Sequence, residues 1–479
     1  MRNPILFADY PDLDIIRVGD TYYMCTTTMH VFPGGEILRS RDLVHWEHCS
    51  YAYDTLGEHP GQRLDDGKDI YGQGMWAGSL RHHGGRFHLV FMCNDTHSAY
   101  YFTAENPEGP WERRPMAGFY HDPSILFDDD GRVYIVSGNR DIRLTELESD
   151  LSAPKEGGLD RVIIHDDCDG LGWEGSHLYK VNGKYYWFGI HWVKGSLRAQ
   201  GCYRADSLEG EFTGGEILCQ PFDGRPDDGP AQGGMVQTPD GDWYLMLFQD
   251  HGAVGRIPVL VPMTWENDFP KVGEIPTSFE AADAACLPLT VSQSFRDRLN
   301  PVWQWNHEPH WELIRQEPTG LRLTTDRTVE NVLHSVNTLT QRTFGPRCAM
   351  DVSVDGSSMN PGDFAGICAL QGMFGQIGLT RTADGCALSV ITNDGEIAQR
   401  SCIPWKKDKA RLRVEFDFTS DTVRFFYWAE QWKPLGDAHQ LHYRLDHFMG
   451  ARVGLYCYST KEIGGSAVFS DFVYHKTMA

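Results

Sequence analysis

Three acidic stretches could carry chemistry. "FADYPDLDII", residues 7–16, places Asp9, Asp12 and Asp14 within six positions, just ahead of a strand-like run. "FYHDPSILFDDDG" places Asp122 ahead of another such run, and "GWEGSHLYKVNG" places Glu174 ahead of a third. A pair of carboxyl groups in different protonation states can protonate a leaving oxygen and activate a water molecule. A single acid before a strand is most often a solvated turn residue. Three at equivalent places in separate repeats weaken that reading. "FDDDG" at 127–131 reads as a hairpin turn, and "HDDCDG" at 165–170 as a loop without a full calcium-loop pattern. His82 and His83 read as turn residues, and His177 as a hydrogen-bonding neighbour of the acid motif. No GxSxG elbow is present, which leaves a serine hydrolase without support.

The elements that must position these acids are β-strands. A phrase recurs in which a glycine and one or two polar residues lead into an aromatic-rich strand. It appears in "VGDTYYMCTTT", "HGGRFHLVFM", "DDGRVYIVSG", "VNGKYYWFGI" and "PDGDWYLMLF", with its glycines at 19, 85, 131, 183 and 241. Helical periodicity is scarce, so a doubly wound α/β fold is not expected. Five units of about 50 residues predict a five-bladed β-propeller over residues 1–300. Its acids would converge where the inner strands begin. Residues 301–319 are expected to be a linker packed between domains, because "PVWQWNHEPHW" is rich in tryptophan and lacks a flexible Pro/Ser/Thr composition. Residues 320–479 alternate apolar and polar positions in short runs, which predicts a β-sandwich. The fold class is all-β.

Composition narrows the partners. The formal net charge of −23 argues against nucleic acid or an anionic membrane as the main partner. Aromatics make up 12% of the chain, which fills cores and also suits stacking on sugar rings. The 12 cysteines form no CxxC pair, and with no apolar leader visible at the chain start they favour reduced thiols and a cytoplasmic location.

The quoted motifs, with "SRDLVHWE", "YGQGMWAGSLRHHGGRFHLVF" and "GDWYLMLFQDHGAVGRIPVLVPMTW", resemble glycoside hydrolase family 43, the β-xylosidase and α-L-arabinofuranosidase group. "VNTLTQRTFGPRCAMDVSVD" and "MNPGDFAGICALQG" resemble the concanavalin-like sandwich that follows such propellers. The resemblance implies that Asp12 is the general base, Glu174 the general acid, and Asp122 a pKa modulator and orienting group. It implies that Arg256 helps hold the site and that Trp76 and Phe32 line the glycone pocket. His251 is a further pocket-lining candidate. A sandwich loop is expected to wall one side of the pocket, with the segment around Met373 and Phe374 a candidate.

The implied reaction is inverting, exo-acting hydrolysis that releases terminal β-D-xylose from small hemicellulose oligosaccharides. α-L-Arabinofuranosidase activity is the enzymatic alternative, and a non-catalytic carbohydrate-binding protein the alternative of another class. The chemistry requires no cofactor. The resemblance brings with it a structural calcium or hydrated ion in the propeller channel, with no ligands assigned from sequence, and self-association is left open. Three positions depart from the family pattern: Leu13 and Gly78 stand where proline is common, and Gln232 where many relatives carry histidine.

Overall fold

The recurring glycine phrases become tight hairpins. Val18 pairs with Thr21 across Gly19–Asp20, and Val181 pairs with Lys184 across Asn182–Gly183. Asn182 and Gly183 both take positive φ, 50° and 77°, the conformation that two-residue hairpin loops demand. The computed structural model describes residues 2–280, 286–395 and 399–477.

Five four-stranded antiparallel meanders follow one another along the chain. Blade I contains Asp14–Val18, Thr21–Thr26, Gly34–Ser40 and Trp46–Tyr53. Blade II contains Met75–His83, Arg86–Cys93, Ser98–Ala104 and Glu112–Arg114. Blade III contains Ser124–Phe127, Val133–Ser137, Ile142–Leu147 and Asp160–Ile164. Blade IV contains Gly170–Val181, Lys184–Val193, Ala199–Ala205 and Thr213–Leu218. Blade V contains Met235–Gln237, Trp243–Asp250, Arg256–Glu266 and Phe269–Val272. The expected five-bladed propeller is the fold, with the first strand of each blade on the inside. Aromatic and aliphatic side chains between neighbouring blades form separate cores. One joins Phe87, Phe91 and Tyr100 of blade II to Ile37 and Tyr53 of blade I.

The second body is a sandwich of two antiparallel sheets. Its core interleaves Val352, Val414 and Phe425 of one sheet with Leu339, Ile367, Ile377 and Leu455 of the other. The segment 301–319, read from sequence as a linker, contributes Gln304–Asn306 to one sheet and Ile314–Glu317 to the other. These strands are only three and four residues long, too short for alternation to reveal them.

The bodies share a sheet. Val31–Phe32, a two-residue strand leaving blade I, pairs with Trp305 and Asn306 of the sandwich. Beside it a buried ion pair joins Arg342 to Glu36, and the Arg342 guanidinium stacks 4.1 Å from the Tyr10 ring centre. Among the described residues no helix is long and apolar enough to cross a membrane.

Candidate active site

The turns entering the inner strands bring the predicted acids together. Asp12 lies two residues before the first strand of blade I, and Asp122 two residues before that of blade III. Glu174 sits inside the first strand of blade IV, at a bulge where the register shifts between Glu174 and His177. The bulge requires Gly175. Its φ is 68°, and a Cβ there would stand 2.7 Å from the Gln232 side chain.

Asp12 is buried, with both oxygens occupied. Oδ1 accepts from Arg256 Nη1 at 2.7 Å, and Oδ2 accepts from Thr27 Oγ1 at 2.7 Å. Burial raises its pKa above the ordinary carboxylate value. Arg256 and Thr27 oppose that rise, and Asp122 adds to it. A carboxylate of this kind has greater proton affinity than a surface aspartate while two donors hold its anion in place.

Asp122 Oδ2 accepts from the Gly175 backbone N–H at 3.1 Å and from Gln232 Nε2 at 3.4 Å. Its pKa is also raised, first by burial and further by Glu174, against the attraction of His121. Glu174 Oε2 accepts from His121 Nε2 at 3.2 Å and Asn139 Nδ2 at 3.0 Å. Donor atoms of His121, Asp122 and Glu174 all lie within 4.8 Å of one another. The negative charge of Asp122, helped by Glu174, pushes His121 up to about 9, so the imidazole is a cation at neutral pH. The protonation of His121 and that of Asp122 are linked, because the charge of each acts on the other. The pair can store a proton beside Glu174, while Asp12 stands apart with its own cation.

Two aromatic side chains wall the site. Trp76 meets His121 edge-on at 5.9 Å and Phe448 at 5.5 Å. Phe448 comes from the sandwich, and Arg256 lies over its ring at 4.5 Å. The wall is therefore supplied by the turn after Leu441 and not by the segment around Met373. Phe374 is 1% exposed and belongs to a core within the sandwich. Asp9 locks the wall in place. Its Oδ1 accepts from the Arg256 backbone N–H at 2.8 Å, and its Oδ2 from that of Gly450 at 2.9 Å.

Two other expected pocket residues lie elsewhere. Phe32 is 1% exposed, pairs with Trp305 in the shared sheet and packs edge-on against Tyr53, because its strand leaves the propeller to join the sandwich. Met29 and Val31, its chain neighbours, are the residues that cluster with Trp76 and Phe448. His251 is buried edge-on against Phe7 and contacts Gln249 Oε1 at 2.9 Å. Burial moves its pKa down to about 3, so it stays neutral and supports the turn that delivers Arg256. His121, Asn139, Thr27 and Phe448 were missed in the sequence. His121 was visible as the neighbour of Asp122 in "HDPS". The other three acquire their positions only through folding.

Beneath the carboxylates, Asp14 accepts from the Leu80 backbone N–H at 2.8 Å, contacts His177 Nδ1 at 3.2 Å and is ion-paired with Arg81. Arg81 continues to Ser124 Oγ at 2.9 Å, and Ser124 accepts from the Leu178 N–H at 2.9 Å. This chain links the first strands of four blades. Its donor set does not fit a channel cation: Arg81 already supplies the positive charge to Asp14, and Gln232 is engaged with Asp122.

A propeller with three inward carboxyl groups, joined to a sandwich that completes the pocket, defines a two-domain carbohydrate-active hydrolase. Residues 1–270 match the glycosyl hydrolases family 43, and residues 293–475 match the beta xylosidase C-terminal concanavalin A-like domain. The chain belongs to glycosyl hydrolase family 43. It is 29% identical to a beta-xylosidase of Formosa agariphila, over 79% of this chain and 74% of that protein. It is 29% identical to a non-reducing end alpha-L-arabinofuranosidase of Bacteroides ovatus, over 71% of this chain and 63% of that protein. A solved structure of a bifunctional GH43-CE protein of Bacteroides eggerthii superposes with a TM-score of 0.95 at 40% identity. That match covers 100% of this chain and 64% of the larger protein.

The expected cytoplasmic placement is withdrawn, because membership of this family does not support it. The unpaired cysteines on which it rested include several buried beneath strands, where they report packing and not compartment.

Proposed function

We propose that the protein is an inverting, exo-acting glycosidase that releases terminal β-D-xylose from short xylo-oligosaccharides. The observation that carries this reading is the wall: Phe448 of the sandwich closes over Arg256 and meets Trp76 beside the carboxylates. A site walled in this way takes a chain end more readily than the middle of a polymer.

Glycosidic cleavage passes through an oxocarbenium-like state and needs a proton at the leaving oxygen and a nucleophile at the anomeric carbon. Glu174 gives its proton to the leaving oxygen. Asp12, anchored by Arg256 and Thr27, takes a proton from the attacking water. The positive charge of His121 offsets the negative charge of Asp122, and that of Glu174 once its proton has been given. From 3.2 Å it can also return a proton to Glu174 between turnovers. Asp122 holds His121 in the charged form.

A second reading is favoured by the Bacteroides ovatus relative, described as a non-reducing end alpha-L-arabinofuranosidase. The two sugars can present similar hydroxyl patterns to one pocket. Rates on para-nitrophenyl β-D-xylopyranoside and α-L-arabinofuranoside decide between the readings. Proton NMR of the first-formed anomer from xylotriose tests the stereochemistry. Initial release of α-xylose supports inversion, and initial β-xylose rejects it. Cleavage at internal bonds of a longer chain would reject exo action.

A further inference from the structure

The loop 165–169, between blades III and IV, plays no part in the proposed hydrolysis. It carries Asp166 and Cys168. Opposite stands His191, on the second strand of blade IV. One donor atom from each of these residues, a carboxylate oxygen, a thiol sulfur and a ring nitrogen, lies within 4.8 Å of the other two. We propose that Asp166, Cys168 and His191 bind a thiophilic divalent transition-metal ion of the zinc type.

The donors are near enough for one ion to gather them through small side-chain movements. His191 Nε2 faces Asp166 Oδ2 at 3.0 Å, while its Nδ1 contacts Glu216 Oε1 at 2.6 Å. A carboxylate on the far nitrogen fixes the tautomer and makes the near nitrogen the better ligand. The Trp173 ring stacks on the imidazole at 4.1 Å and 16°, which holds its plane. The loop is also pinned. Cys168 N–H donates to Asp166 Oδ1 at 2.9 Å, and Arg140 Nη1 donates to the Cys168 carbonyl at 3.0 Å. The close packing of the loop extends to Gly172, where a Cβ would stand 2.8 Å from Asp166 Oδ2.

Ligand chemistry selects the ion. Calcium and magnesium take oxygen donors, whereas a set of one sulfur, one nitrogen and one oxygen suits zinc or its neighbours. All three residues are half-buried, so a water can take the fourth position of a tetrahedral site. The site is distinct from the His121–Asp122–Glu174 set, and Asn139 lies between them. Asn139 Nδ2 donates both to the Leu171 carbonyl at 2.9 Å and to Glu174 Oε2 at 3.0 Å.

Cobalt(II) serves as the probe. The full chain, stripped with chelator and freed of thiol reagents, is titrated with Co2+ and followed by absorption. The expected result is a thiolate-to-cobalt charge-transfer band that saturates at one ion and is abolished by Zn2+. Cys168→Ser removes the band. Glu216→Gln, which leaves the three ligands intact, weakens binding about 10- to 100-fold. Cys402→Ser, at an exposed thiol elsewhere, changes nothing. Absence of the band at saturating cobalt overturns the proposal, as does a band that survives Cys168→Ser. Cobalt bound without a thiolate band, and lost in Glu174→Gln, would assign the ion to the catalytic carboxylates and also overturn it.

Discussion

Asp12 and Asp122 share a backbone conformation that few non-glycine residues adopt. Their φ angles are 53° and 47°, and each stands two residues before the first strand of its blade. Gln232 repeats the device ahead of blade V with φ 56°. Aspartate and asparagine tolerate this region better than other side chains, and residues held there concentrate at functional sites. Asp122→Asn keeps that tolerance while removing the charge. Asp122→Ala loses both, and is expected to be less stable than Asp122→Asn by about 1 kcal/mol. Chemical denaturation measures the difference. In Asp122→Asn the His121 titration, followed by NMR, is expected to fall from about 9, because Asp122 is the largest cause of that elevation.

Glu174 reaches the site through a bulge that only Gly175 permits, and it accepts hydrogen bonds from His121 and Asn139. In the proposed role of general acid, Glu174 matters most when the leaving group is poor. Glu174→Gln is expected to lower turnover of xylobiose by about 10²- to 10⁴-fold. An aryl glycoside with an acidic phenol leaving group should lose much less. Equal losses on both substrates would remove the acid role.

The propeller was legible because its signal is local and repeated. A glycine turn and an aromatic strand recur five times, and each acid stands beside one such unit. The three carboxylates could therefore be found before their convergence was known. Phe32 and Phe448 show where this reading stops. "HVFPG" follows a blade strand, yet its two-residue strand belongs to a sheet whose other members begin at Gln304. Phe448 reaches the pocket from a turn in the sandwich, and nothing near it in sequence marks the destination. Docking between domains decided both. Leu13 lies between these cases. It is fully buried among Ala8, Ile15 and Met24, so packing secures the loop that carries Asp12.

His121 links the site to pH. Its folded pKa of about 9 lies above the ordinary histidine value of 6.5, through attraction to Asp122 and Glu174. The charged form therefore favours folding. Its contribution is complete below about pH 6.5 and is lost as pH rises through about 9. Wild-type unfolding free energy should fall over that window more steeply than that of His121→Gln. Activity should show an alkaline limb with the same apparent value if the imidazolium supports proton return to Glu174. A limb unchanged in His121→Gln would assign it to another group.

Asp9 joins the segment carrying Arg256, the partner of Asp12, to the sandwich wall, and its failure should separate binding from chemistry. Its two oxygens receive the backbone N–H groups of Arg256 and Gly450. Asp9→Asn keeps the shape but turns one acceptor into a donor facing a donor. A buried unsatisfied group of this kind costs about 1–3 kcal/mol. The Gly450 contact anchors the turn that presents Phe448, so loosening it should raise KM more than it lowers kcat. Phe448→Ala removes the wall and leaves the anchor intact. It should show the same kinetic split, together with greater tolerance of substituted or longer substrates. Steady-state kinetics on xylobiose and xylotetraose test both variants. A fall in kcat alone in both would mean that the turn positions the reacting groups and does not form the substrate wall.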